Sequence, residues 1–213
     1  MINIRVDDKE IEVEEGANLL EACLHNDIYI PNLCHMAGDE PPFAACRLCW
    51  VEIDGKAVTA CTQKVEPALE VKTDTEAVRQ LQKSAFRLLL SVHEIKCKEC
   101  PANKQCELQH IAKILKVGLK PKGLETRLKE PGIDTGHPSL EIDRNRCVLC
   151  GKCIRLCKQI HGHAYLTFAR RGFETVISSF IEPEESMVNI SGCTECIEIC
   201  PVKAISLKKA AKG

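Results

Sequence analysis

The chain has 213 residues, 15 of them cysteine, with 29 basic and 30 acidic side chains. This near-neutral balance gives no overall attraction to nucleic acid. The N-terminus does not resemble a signal peptide, and no apolar run reaches the roughly 20 residues of a transmembrane helix. The odd cysteine count argues against a fully paired disulfide framework, and aromatic residues, at 4 % of the chain, leave little bulk for a large core. We expect a cytoplasmic protein whose reduced thiols bind metal.

The first 75 or so residues predict a small, mostly β unit. Alternating apolar and polar residues, with Asp54-Gly55 as a tight-turn signal, predict five strands: Ile2–Val6, Ile11–Val13, Trp50–Ile53, Lys56–Ala60 and a last strand at Val71. Asn18 is expected to cap a short helix that runs to Asn26 with Cys23 on its apolar face.

Two amphipathic helices follow this unit. The first is expected to begin at a capping box of Thr73 and Glu76 and to end near His93, and the second to cover Asn103–Val117. The Lys-, Pro- and Gly-rich segment 119–138 has no clear periodicity and is predicted to be a surface linker. Beyond it, four short strands are predicted: Leu140–Ile142, Tyr165–Phe168, Glu174–Ile177 and Ile205–Leu207.

Four cysteines of the β unit form the first candidate metal group: Cys34, Cys46, Cys49 and Cys61. A Cys-x2-Cys loop can place two thiolates beside one small inorganic core, and iron in such a core prefers tetrahedral sulfur. The loop around Pro41 and Pro42 lacks regular structure, so its backbone N–H groups can turn towards sulfur. Structural zinc is the alternative for this group.

The second group combines one histidine and three cysteines within 14 residues: His93, Cys97, Cys100 and Cys106. A lone histidine at a helix end is usually solvated, but three cysteines at short offsets after it favour a ligand role. Zinc held by three cysteines and one histidine is the serious alternative. If the group holds an iron–sulfur cluster, neutral imidazole in place of a thiolate should raise its reduction potential.

The third group is the strongest motif. The run Cys147-x2-Cys150-x2-Cys153-x3-Cys157 is the bacterial ferredoxin signature, in which the first three cysteines bind one cluster and the fourth reaches to another. Cys200, followed by a proline, supplies the return ligand. One [4Fe–4S] cluster on Cys147, Cys150, Cys153 and Cys200 is therefore predicted.

A second ferredoxin site would use Cys157, Cys193 and Cys196, but Ile190 occupies the position of its fourth cysteine. Three outcomes stay open: a [4Fe–4S] cluster with a non-cysteine ligand, a [3Fe–4S] cluster, or an empty remnant whose thiols pack as small apolar groups. The weak candidates for that non-cysteine ligand are Glu195, His161 and His163. Cys23, the fifteenth cysteine, is expected in the core.

The order of these motifs resembles the N-terminal region of the large iron–sulfur subunit of respiratory complex I, and also that of iron-only hydrogenases. The resemblance covers essentially the whole chain. It implies a [2Fe–2S] cluster on the first group and [4Fe–4S] clusters on the second and third. It also implies an α+β fold with a β-grasp [2Fe–2S] domain over residues 1–76, a small helical [4Fe–4S] domain with a linker over 77–138, and a ferredoxin-like domain over 139–213.

A chain of this size looks like the diaphorase-side iron–sulfur subunit of cytosolic NAD(P)-linked [NiFe]-hydrogenases, including flavin-based bifurcating ones. This resemblance implies two kinds of partner: a flavoprotein subunit that binds NAD(P)H, and hydrogenase catalytic and small subunits. It implies single-electron transfer between them, with no active site on this chain. The alternative is the equivalent subunit of an NAD-linked formate dehydrogenase or a complex-I-like oxidoreductase.

Overall fold

A computed structural model describes residues 1–120, 123–179 and 194–208. The chain forms two compact units. The first comprises Met1–Leu88 and Ile114–Val117, and the second comprises Leu89–Lys113 and the described residues from Gly118 onward. Strands and helices occur in both, so the predicted α+β class is confirmed. The finer division at residues 76 and 138 stays a prediction. Within the described ranges, no helix is long and apolar enough to cross a membrane.

A five-stranded sheet dominates the first unit, with the strand order β2-β1-β5-β3-β4. The strands are β1 (Ile2–Val6), β2 (Lys9–Val13), β3 (Trp50–Ile53), β4 (Lys56–Thr59) and β5 (Glu70–Lys72). Strand β1 forms a hairpin with β2 and pairs in parallel with the central strand β5, and the hairpin of β3 and β4 pairs with the other edge of β5, which is the β-grasp arrangement. Buried residues of β1, such as Ile4 and Val6, lie in one core with helix α1 (Leu19–His25). Cys23 is fully buried there, as predicted.

Helix α2 (Glu76–Ser91) begins at a different cap from the predicted one. The hydroxyl of Thr75 accepts the backbone N–H of Val78 at 3.3 Å, which is the bond of an N-cap residue. Thr73 instead binds the carboxylate of Asp7 through its N–H and its hydroxyl, at 2.8 and 2.6 Å. The predicted capping box at Thr73 is therefore wrong, because Thr73 binds Asp7, a residue distant in sequence, instead of capping the helix.

Helix α3 covers Glu107–Ile114, shorter than the predicted Asn103–Val117. Lys104 has a φ of +68°, a left-handed conformation that a helix cannot continue through. Its backbone N–H is satisfied by the side chain of Gln109 at 2.8 Å. Residues 103–106 are thus not helical, and the last of them is Cys106 of the second cysteine group.

The segment 119–138 is more integrated than a surface linker. Ile133–Asp134 forms strand β6 and pairs with β7 (Leu140–Asp143), which pairs in turn with β10 (Ile205–Leu207). Lys129 is buried, and its ammonium group donates to the carbonyl of Phe173. The purely linker interpretation is corrected, because β-pairing and a buried lysine tie the segment to the second unit.

The rest of the second unit consists of two helices and two further strands. The remaining elements are α4 (Lys152–His161), β8 (Leu166–Ala169), β9 (Val176–Ser179) and α5 (Thr194–Glu198). Strands β8 and β9 form a separate two-stranded sheet, shifted by one or two residues from the predicted bounds. Side chains of α4, β7, β8 and β10 share one buried core, which surrounds the ferredoxin-type cysteines.

Buried His137 should make the protein less stable in mild acid. Its Nδ1 accepts the backbone N–H groups of Ser139 and Leu140, both at 3.1 Å, and burial, assisted by the charge of Lys208, lowers its pKa. The unfolded chain therefore binds the extra proton first, and stability is expected to fall as the pH drops below about 6.5.

Denaturant midpoints of the anaerobic holoprotein between pH 7.5 and 6.0 measure this effect. His137→Asn is the matched control, because its amide oxygen can accept the same N–H groups without titrating. The variant should lose less stability than the wild type over this range. Equal losses in the two proteins would contradict the role of His137.

Candidate metal centres

The cysteines of the first group come together as two pairs. All four are buried: Cys34, Cys46, Cys49 and Cys61. The Sγ atoms of Cys34 and Cys46 are 3.4 Å apart, and Cys49 and Cys61 form a second hydrogen-bonded pair. The hydrogen bond from Cys46 lowers the pKa of Cys34 to about 6, and the bond from Cys49 lowers that of Cys61. One thiol of each pair thus loses its proton more readily than an isolated cysteine, and each pair could supply two sulfurs to one tetrahedral iron.

The loop that carries this group turns its backbone towards sulfur. Ala44 and Arg47 have φ values of +50° and +52°, which bend the chain around the thiols. The backbone N–H of Cys46 lies 3.5 Å from the sulfur of Cys34, and the N–H of Leu48 donates to the sulfur of Cys46. Such donors stabilise negative charge on cluster ligands. The prediction that backbone N–H groups of this irregular region turn towards sulfur is confirmed.

Asn18 connects helix α1 to this group. Its side-chain oxygen accepts the N–H groups of Leu20 and Glu21 at 3.0 and 3.3 Å, and its Nδ2 donates to the carbonyl of Cys61 at 2.7 Å. Asn18→Ala removes the cap and leaves a buried carbonyl without its donor. We expect it to lower the unfolding free energy of the holoprotein by about 2–3 kcal/mol.

Asn18→Asp is the control that separates the two roles, because aspartate keeps the cap oxygen while it replaces the donor to Cys61 by a negatively charged oxygen. Denaturation followed by helical circular dichroism and by visible absorbance reports the helix and the metal group separately. In Asn18→Asp the visible absorbance should be lost at lower denaturant than in the wild type. Wild-type midpoints in Asn18→Ala would refute the connection.

The second group lies around a single cavity. Its four predicted residues all line that cavity: His93, Cys97, Cys100 and Cys106. Cys97 belongs to a single 3-10 turn (Cys97–Glu99). Cys106 lies immediately before helix α3, whose Leu108 and Gln109 direct their backbone N–H groups to its sulfur. Burial raises the pKa of Cys106, so a positively charged metal centre would have to favour its thiolate.

His93 is oriented for metal binding by a backbone carbonyl. It is buried, with 7 % of its surface exposed, and burial lowers its pKa, which favours the neutral ring. Its Nδ1 lies 2.9 Å from the carbonyl oxygen of Arg146. A carbonyl can only accept, so Nδ1 carries the hydrogen and Nε2 keeps the lone pair that a metal needs. Arg146 directly precedes Cys147, a cysteine of the third group.

The third group also surrounds one cavity. Its four cysteines line it together: Cys147, Cys150, Cys153 and Cys200. The other lining residues are apolar apart from Gly151 and Lys152, and burial raises the pKa of Cys147 to about 12. The sulfur of Cys147 accepts the N–H of Leu149 at 3.4 Å, and that of Cys200 accepts the N–H of Ala204 at 3.2 Å. A largely apolar pocket with sulfur-directed N–H groups fits a cubane cluster.

The fourth group is described only in part. Cys157 and Cys196 are buried in the same core as Cys153, and the backbone N–H of Tyr165 donates to Cys157 Sγ at 3.3 Å. The predictions on Cys193 and Ile190 lie outside the described residues. The rings of His161 and His163 contact the ring of Tyr165, at centroid distances of 5.3 and 4.5 Å.

The donor sets of the first three groups fit clusters. In the described part of the chain, no set of three or more His, Cys, Asp or Glu side chains converges as the ligands of one metal ion. The ligands of a cluster bind different iron atoms, so they need not converge on one point. Iron–sulfur clusters are accordingly the cofactor class whose ligation chemistry these groups match best.

Three families match successive parts of the chain. Residues 1–76 match the family described as 2Fe-2S iron-sulfur cluster binding domain. Residues 82–119 match the NADH-ubiquinone oxidoreductase-G iron-sulfur binding region, and residues 137–206 match the NADH-quinone oxidoreductase subunit 3 ferredoxin-like domain. This chain therefore resembles the iron–sulfur subunits of NAD(P)-linked hydrogenases and NADH-quinone oxidoreductases, as the order of its motifs predicted. It therefore contains 2Fe–2S and 4Fe–4S binding domains, as predicted.

Similarity to individual members extends over the whole chain. A G-type subunit of NADH-quinone oxidoreductase from Rhizobium meliloti is 30 % identical over 96 % of this chain, which spans only 24 % of that relative. The gamma subunit of the NAD-reducing hydrogenase HoxS of Cupriavidus necator is 27 % identical over 98 % of this chain and 88 % of its own length. A chain in the crystal structure of an NAD+-reducing [NiFe]-hydrogenase in the H2-reduced state superposes with a TM-score of 0.83, at 27 % identity and the same two coverages.

Two residues beside the candidate ligands were not predicted from the sequence. Arg146 supplies the carbonyl that orients His93, and Val202 lines the cavities of both the second and the third group. Both lie within two residues of a predicted ligand, which is the only local signal. Nothing in the spacing indicates that either faces the other group.

Proposed function

We propose that this chain relays single electrons between a flavoprotein subunit that oxidises NAD(P)H and the catalytic part of a hydrogenase. The observation that carries the proposal is the direct connection between two groups of ligands in one compact unit. His93 of the second group is hydrogen-bonded to the residue that precedes Cys147 of the third. The N–H of Glu107, next to Cys106, also donates to the carbonyl of Pro201, next to Cys200, at 3.3 Å.

The proposal assigns each cluster to the residues gathered above. A [2Fe–2S] cluster is assigned to the first group and a [4Fe–4S] cluster to each of the second and third. When bound, such clusters accept and release one electron at a time. The further [4Fe–4S] or [3Fe–4S] cluster on Cys157, Cys193 and Cys196 stays a prediction, as does the cytoplasmic location.

The protein's own contribution is to hold and orient the cluster ligands and to surround the clusters with apolar side chains. The Arg146 carbonyl fixes the ring of His93, and the N–H groups of Leu149 and Ala204 are directed at ligand sulfurs. Most of the other side chains that line the third cavity are apolar. A fixed, largely apolar surrounding keeps the reorganisation that accompanies a change of charge small, which suits a relay.

A partner pair of flavoprotein and hydrogenase is favoured by the extent of the match to the HoxS relative, which this chain covers over 88 % of its length. The similarity to the NADH-quinone oxidoreductase relative favours a second candidate, a relay in a complex-I-like oxidoreductase. The two candidate functions differ in what exchanges electrons with the relay at the end away from the flavin: H2 in the first and a quinone in the second.

The native complex, isolated through an affinity tag on this chain under anaerobic conditions, tests the proposal. Iron and sulfide are counted on the anaerobic holoprotein of this chain alone, because a [NiFe]-hydrogenase partner carries iron of its own. We expect about 10 irons and about 10 acid-labile sulfides per chain from three clusters, or about 13–14 irons if the Ile190 site is filled. Electron paramagnetic resonance (EPR) should show the clusters reduced by NAD(P)H and also by H2. Reduction by NAD(P)H but not by H2, with reoxidation by a quinone, would select the second candidate. A colourless zinc protein without sulfide would overturn both.

A further inference from the structure

The cavities of the second and third groups share a wall. Among the residues that the structure describes, Val202 is the one that lines both. It is buried, with 1 % of its surface exposed, and it lies two residues after the ligand Cys200. Its isopropyl group therefore lies within reach of whatever occupies either cavity.

The backbone before Val202 is bonded to a residue beside the second group, and the backbone after it is bonded to a ligand of the third. Pro201 accepts the N–H of Glu107 at 3.3 Å, and Ala204 donates to the sulfur of Cys200 at 3.2 Å. A parallel connection runs from the N–H of Glu94 to the carbonyl of Asn145, at 2.7 Å. These bonds hold the two groups of ligands together, so the side chain between them has little freedom to move away.

We propose that Val202 is an apolar partition that excludes water from both cluster cavities and thereby keeps the reduction potentials of both clusters low together. The inference rests on the proposed function only in that both cavities hold clusters. Water and polar hydrogens near cluster sulfur stabilise the reduced, more negative form and raise the potential, because they hydrogen-bond to the added charge. An apolar residue common to two cavities couples the two potentials without contacting a partner protein.

Val148 provides a matched comparison. It is the same residue type, is equally buried at 3 % exposed, and lines the cavity of the third group without lining that of the second. Val202→Ala and Val148→Ala remove the same two methyl groups. The one relevant difference is whether the space created adjoins one cavity or two.

The experiment is an EPR-monitored redox titration of the anaerobic holoprotein for the wild type, Val202→Ala and Val148→Ala. We expect Val202→Ala to raise the potentials of both [4Fe–4S] clusters and Val148→Ala to raise only that of the cluster on Cys147, Cys150, Cys153 and Cys200. The [2Fe–2S] cluster serves as an internal reference and should not shift in either variant.

A shift of one cluster only, or of neither, in Val202→Ala would overturn the partition role. If Val202→Ala fails to retain its clusters, Val202→Ile tests the same role in the opposite direction. A larger apolar side chain should lower the potentials of both clusters or leave both unchanged. A rise in either potential would overturn the proposal. A holoprotein that has its clusters but is not reduced by NAD(P)H in its complex would contradict the proposed function and not this inference.

Discussion

Cys153→Ser is expected to abolish the [4Fe–4S] cluster of the third group and to leave the [2Fe–2S] EPR signal in place. Iron and sulfide should each fall by about four atoms per chain. Cys153 is buried at 8 % exposed, and its cavity is lined by three other cysteines and by apolar residues. A serine hydroxyl there is a much weaker acid than a thiol and cannot replace its soft anionic sulfur on iron.

Cys23→Ser is the matched control for this substitution. Cys23 is fully buried on helix α1 in the core of the first unit and belongs to none of the four cysteine groups, so we expect it to take no part in ligation. This variant should keep the wild-type iron content per folded chain. Cys200→Ser supplies an independent removal of the same cluster, because Cys200 comes from a different segment. Unchanged iron and spectra in both Cys153→Ser and Cys200→Ser would exclude the assignment.

His93→Cys is expected to retain a cluster on the second group with a lower reduction potential. The change replaces a neutral imidazole by an anionic thiolate, which makes the cluster one charge more negative and disfavours the added electron. The site is buried, so the added charge is only weakly screened. We expect a shift of at least about 59 mV, a tenfold change in the one-electron equilibrium.

Redox titration with EPR detection measures this shift, and only the signal of the second group should move by that amount. His110→Asn is the control, since His110 lies on the exposed side of helix α3, close in sequence to Cys106. Its substitution should leave the potential within a few millivolts of the wild type. An equal or higher potential in His93→Cys would refute the charge argument.

Much of the fold was predictable because local patterns determine it. The hairpin of β1 and β2, helix α1 with its Asn18 cap, and the hairpin at Asp54-Gly55 occur within one to two residues of the predicted bounds. Their signals act over a few residues, so distant contacts scarcely change them. The predicted cap of helix α2 is wrong for the opposite reason, because a distant contact decides it: Asp7, 66 residues away, binds Thr73.

The segment 119–138 shows the same limit on a larger scale. Its composition indicates a linker, and no local pattern predicts that Ile133–Asp134 would pair with β7 or that Lys129 would be buried. These contacts arise only when strand β7 and the loop at Phe173 are already in place. The composition of this segment is typical of a linker, but its contacts with the rest of the folded chain give it a strand and a buried lysine instead.

The candidate metal chemistry of this protein is predicted by its amino-acid sequence alone. Cysteines a few residues apart cannot separate far in space, so their spacing predicts thiolate groups, and the order of the groups predicts the resemblance to iron–sulfur subunits. The relation between the second and third groups depends instead on tertiary contacts, because His93, Arg146 and Val202 belong to segments more than 50 residues apart. Only the folded chain brings a carbonyl to His93 and one valine between two cavities.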